Sequence, residues 1–328
     1  MRIPSLLVRT GLTATNIPRN MQCMKYAKTF LIALSATIFA VPCVTLAADK
    51  PAPTRPPIVG VAWISLRTAD MDATRKFYTG YLGMPEQPGV KDEASGLTRT
   101  VFKVNDRQFV QVLPELKDPK QNRLIDIAFE TTNAEQLRAY LASKDVKVAD
   151  KIGDTGMGTK GFSITDAENH VVKFVQFSEK SKSKNPASDS RVSTHMIHTG
   201  FIVHDREAAD HLFKDILGFT ETWHGGMTDD KVSWIDMRVP DGKDWLEYMM
   251  NYDDNDVRVS GIMNHMALGV PSVKDGYDTV VKRGLNPEKP KIGRDGKWQL
   301  NLYGPDLTRV ELMEPKPVET PCCSPMIQ

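Results

Sequence analysis

The sequence predicts an α+β protein made of four βαβββ modules arranged in two pairs, and three observations carry that reading. The first is an internal repeat. Trp63-Ile-Ser-Leu-Arg-Thr-Ala-Asp70 runs into a helical stretch ending Tyr81-Leu82-Gly83-Met84, and His198-Thr-Gly-Phe-Ile-Val-His-Asp205 runs into one ending Ile216-Leu217-Gly218-Phe219. In both, the Gly follows the Asp by thirteen positions. The second is apolar alternation of strand type around each helical stretch. The third is a polar, Ser/Lys-rich segment from Ser178 to Ser190 that separates the two pairs and reads as a linker.

Each module opens on alternating strand residues. Asp70 and Asp205 follow as helix N-caps, since a carboxylate there satisfies free backbone N–H groups of the first turn. The helix is amphipathic, with Ala208, His211, Leu212, Phe213 and Ile216 on one side, and it stops at a glycine suited to a C-cap. Further strands, a polar turn and a closing strand complete the unit. Two more modules start at Arg123-Leu-Ile-Asp-Ile-Ala-Phe-Glu and at Asn264-His-Met-Ala-Leu-Gly-Val, with closing strands over Asn169 to Phe177 and Leu307 to Met313. This sets domains at 57–178 and 193–317, a linker at 179–192 and a tail at 318–328.

Residues 1–48 read as a signal peptide with an upstream extension. Met24-Lys25-Tyr26-Ala27-Lys28 is basic, Thr29 to Val41 is apolar, Pro42 breaks the run, and Thr45-Leu46-Ala47-Ala48 offers small residues for cleavage. The apolar run is short for a bilayer span, although a retained anchor is the alternative. The mature protein is therefore expected to be exported, periplasmic or secreted, and free of the membrane. Cys23 and Cys43 would leave with the leader, and Cys322 and Cys323 sit together in the tail, so no disulfide framework is expected. The 328 residues are 41% apolar and 25% charged, an ordinary globular balance. With 42 basic and 41 acidic residues and no basic patch with interleaved aromatics, nucleic acid is excluded as a partner. A small-molecule substrate and a monomer or homodimer are expected.

Side chains alternate between the two faces of a strand. In the strand from His198, Thr199, Phe201 and Val203 face the helix, while His198, Gly200 and Ile202 face away. In the fourth module Met266, Leu268 and Val270 face the helix, while His265, Ala267 and Gly269 face away. In the closing strands Trp245, Glu247, Met249 and Asn251 share one face, and Arg309, Glu311 and Met313 share another. A single strand His or Glu is ordinarily packed or solvated. Here each module of the C-terminal pair offers one His and one Glu on its non-helix side. If the pair packs around a pseudo-twofold axis, His198, Glu247, His265 and Glu311 converge. Such an N/O set suits one divalent ion, Zn, Ni, Fe, Mn or Co, rather than a thiolate-type site. His195, His224, Tyr303, Trp298, Trp223 and Met249 are candidates for facing the adjoining pocket.

The repeats resemble the vicinal oxygen chelate superfamily, of the glyoxalase, bleomycin resistance and extradiol dioxygenase type, over nearly all of the mature chain. The C-terminal pair is most similar to glyoxalase I. In that family the metal ligands are the first-strand His or Gln and the closing-strand Glu of paired modules, which implies His198, Glu247, His265 and Glu311 here. The N-terminal pair departs from the pattern, with Trp63 and Asp126 at the first-strand positions and Gln111 and Lys173 at the closing-strand positions. That pair is expected to be metal-free and to serve structure, partner binding or pocket shaping.

The resemblance implies a lyase or isomerase acting on a small substrate with two vicinal oxygens. The metal would polarise those oxygens, and Glu247 or Glu311 would move a proton on the neighbouring carbon through an enediolate. Asn251 lies where glyoxalase I contacts glutathione, and with His224 and Tyr303 it completes the expected substrate contacts. Ile202 stands where that enzyme has an Arg for a glutathione carboxylate, so the substrate itself is left open. A ring-cleaving extradiol dioxygenase using iron on His198, His265 and Glu311 is the alternative. A non-catalytic small-molecule-binding protein on the same scaffold is a third reading.

Overall fold

The strand Ile58–Arg67 opens the first module as β1 and is buried along almost its whole length. The structure is a computed structural model that describes residues 52–92, 95–178, 190–253 and 256–327. The expected signal peptide and residues 179–189 of the expected linker lie outside the described residues. Asp70 caps α1 (Met71–Arg75), accepting from the backbone N–H of Asp72 and Ala73, and the helix continues as a π-helical turn over Lys76–Tyr81. Then come β2 (Glu86–Lys91), β3 (Thr98–Lys103) and β4 (Phe109–Leu113). The second module holds β5 (Leu124–Thr131), α2 (Ala134–Ala142), β6 (Gly153–Gly156), β7 (Thr159–Thr165) and β8 (Val171–Phe177).

The third module repeats the first: β9 (Met196–Val203), α3 (Arg206–Asp210) running into a π-helical turn over His211–Ile216, then β10 (Thr220–Gly225), β11 (Trp234–Arg238) and β12 (Trp245–Met250). A short helix α4 (Val257–Ile262) leads to β13 (His265–Gly269), α5 (Val273–Lys282), β14 (Lys291–Ile292), β15 (Trp298–Tyr303) and β16 (Arg309–Met313). Asp205 caps α3 through the Ala208 N–H, and Gly83 and Gly218 take the left-handed conformation that ends both helical stretches. The π turn alters the expected amphipathic set. Ala209, Leu212, Phe213 and Ile216 are buried, whereas His211 is exposed and Ala208 only half-buried. The wider turn changes the angular phase assumed by a 3.6-residue period.

Two eight-stranded sheets result, with orders β2-β3-β4-β1-β5-β8-β7-β6 and β10-β11-β12-β9-β13-β16-β15-β14. Each contains two βαβββ modules, joined through an antiparallel pair of first strands, β1 with β5 and β9 with β13. The closing strand of each module lies parallel to its own first strand: β4 on β1, β8 on β5, β12 on β9 and β16 on β13. A large apolar cluster joins Phe77, Leu137, Phe213 and Val280 from the helical segments to strand residues of both sheets. A smaller cluster of Ala62, Trp63, Val101, Phe109, Ala128, Val175 and Phe177 holds no helical residue and covers the other face of the first sheet. Among the described residues no helix is long and apolar enough to cross a membrane.

Candidate metal centre

The register of the second sheet brings the two histidines and two glutamates together. Gly200 of β9 lies opposite Glu247 on β12 and opposite His265 on β13, and Ala267 lies opposite Glu311 on β16. His198 Nε2 is 3.1 Å from His265 Nε2. Glu247 Oε2 is 3.0 Å from His265 Nε2 and 3.7 Å from His198 Nε2. Glu311 Oε2 is 3.6 Å from His198 Nε2 and 3.9 Å from His265 Nε2. His198, His265 and Glu311 place their ligand atoms within 4.8 Å of one another, a spacing that suits a metal ion. All three are buried, and Glu247 stands beside them on a partly buried position.

Neighbouring groups orient this set. His265 Nδ1 lies 3.0 Å from the Met263 carbonyl, which places the ring proton on Nδ1 and leaves the Nε2 lone pair facing the centre. Arg309 donates from Nη1 to Glu311 Oε1 at 2.7 Å and from Nε to the Ile262 carbonyl at 3.0 Å. Glu311 therefore turns Oε2 towards the histidines. Arg309 Nη2 and Asn301 Oδ1 are buried without a protein partner. Gly200 makes the space: a Cβ there would lie 2.4 Å from His265 Cε1 and 2.8 Å from its Nδ1. Burial, then the neighbouring His265, Arg309 and Lys297, holds His198 well below the usual imidazole range. Burial likewise lowers His265, to about 3. Burial raises Glu247, and it raises Asp236 with the help of the adjacent Glu247.

A cavity of about 320 Å³ opens onto the two carboxylates. Trp223, Trp234, Met249 and Met313 give it apolar walls, and Asn301 and Arg309 are the polar groups beside Glu311. Trp223 and Met249 thus fall where the sequence placed them. Three expected substrate contacts do not line it. Asn251 lies one residue beyond β12 with φ at 64°, and its amide donates to the Val232 carbonyl at 2.6 Å. Strand alternation stops where the strand does, so its expected face is lost. His224 sits opposite in parity to Trp223; its Nδ1 is 2.7 Å from Glu221 Oε1 and its backbone is held by Ser324. Tyr303 ends β15 and is exposed, as is Trp298 at the strand's start. His195 is directed away to a separate groove, 2.6 Å from Asp244 Oδ1.

Sequence reasoning gave no role to Asp236, the cross-strand neighbour of Glu247, or to Arg309. Both were within reach of the same period-two logic. Arg309 precedes Glu311 by two residues, and Asp236 follows the cavity-lining Trp234 by two. The tail also differs from expectation, because Cys322 and Cys323 are joined to each other by a disulfide.

The equivalent place in the first sheet has the same register and a different chemistry. Ser65 lies opposite Gln111 and Asp126, and Ala128 opposite Lys173, so Trp63, Gln111, Asp126 and Lys173 occupy the positions of His198, Glu247, His265 and Glu311. They also converge. Asp126 accepts from Trp63 Nε1 at 2.9 Å and Ser65 Oγ at 2.7 Å, and pairs with Arg99 at 2.8 Å and Lys173 at 3.0 Å. Burial pushes the Asp126 carboxyl up, but Lys173 and then Arg99 outweigh it and hold it below the usual range. Its oxygens are engaged by cations and donors of the protein itself.

Residues 60–174 match the Glyoxalase/Bleomycin resistance protein/Dioxygenase superfamily. The match falls on the first sheet rather than on the His/Glu cluster. No curated protein sequence matches the chain. Among solved structures, the 2,3-dioxygenase LapB from Pseudomonas sp. KL28 aligns with a TM-score of 0.60 at 13% identity, covering 82% of this chain and 97% of that one. A Mn(II)-bound glyoxalase from Novosphingobium aromaticivorans aligns with a TM-score of 0.59 at 17% identity, covering 79% and 83%. Homoprotocatechuate 2,3-dioxygenase from Brevibacterium fuscum, in complex with 3,4-dihydroxyphenylacetate, gives 0.57 at 15% identity, covering 80% and 82%. At these identities the likeness is one of fold.

Proposed function

We propose that this chain, which carries a domain of the Glyoxalase/Bleomycin resistance protein/Dioxygenase superfamily over residues 60–174, is a metal-dependent lyase or isomerase acting on a small substrate with two neighbouring oxygens. The observation that carries the reading is the convergence of His198, His265, Glu247 and Glu311 on one buried point beside a cavity. The residues fit a divalent ion. One imidazole has its tautomer set by a backbone carbonyl, Gly200 leaves room for the ring, and both carboxylates turn an oxygen towards the histidines. Two imidazoles and two carboxylates suit Zn, Ni, Fe, Mn or Co. Such an ion supplies Lewis-acid polarisation of substrate oxygens when bound.

The protein's own groups do the remaining work. Arg309 fixes Glu311 in one orientation, so Glu311 serves as a ligand with a defined free oxygen. Glu247 is only partly buried and borders the cavity, which suits it to take and return a proton on the carbon beside the chelated oxygens. The apolar Trp223, Trp234, Met249 and Met313 walls would exclude water from that transfer. Arg309 Nη2 and Asn301 Oδ1, buried and unpartnered, are a donor and an acceptor for the substrate. The cation-filled centre of the first sheet is assigned a structural part. Export of the chain belongs to the same proposal, on the leader pattern of residues 1–48.

A second reading has its own observation. His198, His265 and Glu311 are all buried with ligand atoms within 4.8 Å of one another, and two histidines with one carboxylate suit non-haem iron and an oxygenase. Against it, no further histidine lines the cavity among the described residues. The test is metal content of chain purified without chelators, followed by reloading. We expect about one divalent ion per chain, lost in His265→Ala and kept in Lys173→Ala. Loss in Glu247→Ala supports the four-ligand reading; iron retained in that variant, with oxygen consumed on addition of a catechol, favours the oxygenase. Equal metal loss in His265→Ala and Lys173→Ala would overturn the placement of the centre.

A further inference from the structure

The second sheet ends in two edge strands, β10 and β14, at opposite ends of its strand order. The tail beyond β16 ties these edges together at two residues that line the cavity, Trp223 of β10 and Arg294 of the turn after β14. On the β10 side, the Cys322 carbonyl accepts from Trp223 Nε1 at 3.2 Å. Ser324 Oγ accepts from the His224 N–H at 2.9 Å and donates to the His224 carbonyl at 3.1 Å, and the Ile327 N–H reaches the Thr222 carbonyl at 2.8 Å. On the β14 side, the Cys322 N–H donates to the Arg294 carbonyl at 2.8 Å and the Val318 N–H to the Gly296 carbonyl at 2.8 Å. Cys322 thus bonds to both edges, and it is joined to Cys323 by a disulfide. That bond closes a ring through the peptide link between the two residues. Inside the ring Cys323 has φ at 70°, a left-handed conformation that a residue with a Cβ rarely adopts. Such a conformation persists where its surroundings impose it, and here the ring does so. It also sets the direction in which Ser324 and Ile327 leave towards β10.

We infer that the Cys322–Cys323 bond makes the tail a redox-controlled clasp, which holds β10 and the Arg294 turn together when oxidised and lets them part when reduced, widening access to the cavity. Cys323 is exposed, so a reductant reaches the bond without unfolding the chain. The reductant is a dithiol. Its thiolate attacks one sulfur and the other leaves as thiolate; its second thiol then displaces the mixed disulfide. The cysteine pair gains two electrons and two protons, and the dithiol becomes a cyclic disulfide. With the ring open, Cys323 relaxes to negative φ, and the chain beyond it turns away from the line that Ser324 and Ile327 need to reach β10. The two edges are then left to the Arg294 side chain, which bonds the Gly226 carbonyl and Asp229 on the loop after β10. What the opened cavity admits rests on the metal-site reading above; the clasp itself does not.

Hydrogen exchange read by mass spectrometry, on full-length chain before and after dithiol reduction and anaerobic desalting, tests the clasp. Exchange of the His224, Cys322 and Ile327 amides should rise at least about tenfold on reduction and fall back on reoxidation, while the amides of β13 and β16 keep their rates. Cys322→Ser/Cys323→Ser should exchange at the reduced rate and show no response to the dithiol. Cobalt(II) should also enter the His/Glu centre faster in the double serine variant, which has no tail thiol to bind the ion, than in the oxidised chain. Unchanged exchange on reduction, or an equal rise in the double serine variant when the dithiol is added, would overturn the clasp. Equal cobalt uptake rates in the two chains would overturn its control of the cavity. Absence of uptake in both chains would instead count against the metal centre, with the exchange rates still deciding the clasp.

Discussion

The His265 ring occupies space that any side chain at position 200 would need. Gly200 does not take the left-handed conformation; it is a strand glycine, with His265 Cε1 only 2.4 Å from where its Cβ would stand. The equivalent residue in the first sheet is Ser65, whose hydroxyl bonds Asp126, so that position tolerates a side chain where no imidazole comes near. Gly200→Ala should therefore push His265 off its Met263 contact. We expect at least about a tenfold loss of metal affinity, about 1.4 kcal/mol, with a stability cost of about 1–3 kcal/mol from overpacking. Isothermal titration against metal-free chain measures the first and thermal melting the second; unchanged affinity would show that the ring is not held by this gap. At this scale strand parity made much legible. It brought His198, His265, Glu247 and Glu311 to one face, because each belongs to a strand, His265 as the first residue of β13. It misplaced Asn251 and Tyr303, which sit at or beyond strand ends, and His224, whose strand carries an irregularity between Glu221 and Trp223.

Each centre rests on the same four strands in the same register, and the difference between them is chemical rather than topological. In the first sheet β1, β4, β5 and β8 deliver Trp63, Gln111, Asp126 and Lys173, with Arg99 added from β3. A buried carboxylate with two cations is stable while its partners stay, and removing one member leaves uncompensated charge. Asp126→Ala should cost about 3–5 kcal/mol of folding stability, measured by denaturant unfolding, while metal content stays at the wild-type level. A parallel loss of metal would mean that the first sheet contributes to the centre directly. The sequence showed that these four residues make a poor ligand set. It did not show Arg99, since that residue enters from a strand whose pairing with β4 becomes visible only in the assembled sheet. The helices were legible through their Asp N-caps and terminal glycines, whereas the π turns at Lys76–Tyr81 and His211–Ile216 left no periodic trace, and of the expected set Leu212, Phe213 and Ile216 are buried while His211 is exposed.

The two sheets are held to each other by polar clasps as well as by the shared core. Gln108 exchanges hydrogen bonds with the Met196 backbone, accepting its N–H at 2.7 Å and donating to its carbonyl at 2.8 Å. Asp244 accepts from the Val61 N–H at 2.9 Å and from Gln108 at 3.2 Å, and takes His195 on its other oxygen. Asp306 accepts from the Thr68 hydroxyl and the Ala69 N–H on the far side. No periodicity in the sequence marks the contacts between the sheets, because they join residues 88 to 238 positions apart whose neighbours in sequence serve other elements. The His195 contact makes this clasp sensitive to pH. The hydrogen bond to Asp244, offset in part by burial and reinforced by the carboxylate charge, raises the imidazole above its ordinary range. Asp106, Arg107, Glu130 and Lys243 line the same groove and belong to the same electrostatic balance. A folded-state pKa above the unfolded one means that the folded chain binds the proton more tightly. The stabilisation is fully present below the unfolded value of about 6.5 and is lost as pH rises through the raised folded value. Melting temperatures of the wild type and His195→Gln, taken from about pH 5 to about pH 9 across the histidine range, should differ most at the acid end and converge as the solution becomes alkaline. A gap independent of pH would mean that His195 acts by packing alone, and the clasp between the sheets would then owe nothing to its charge.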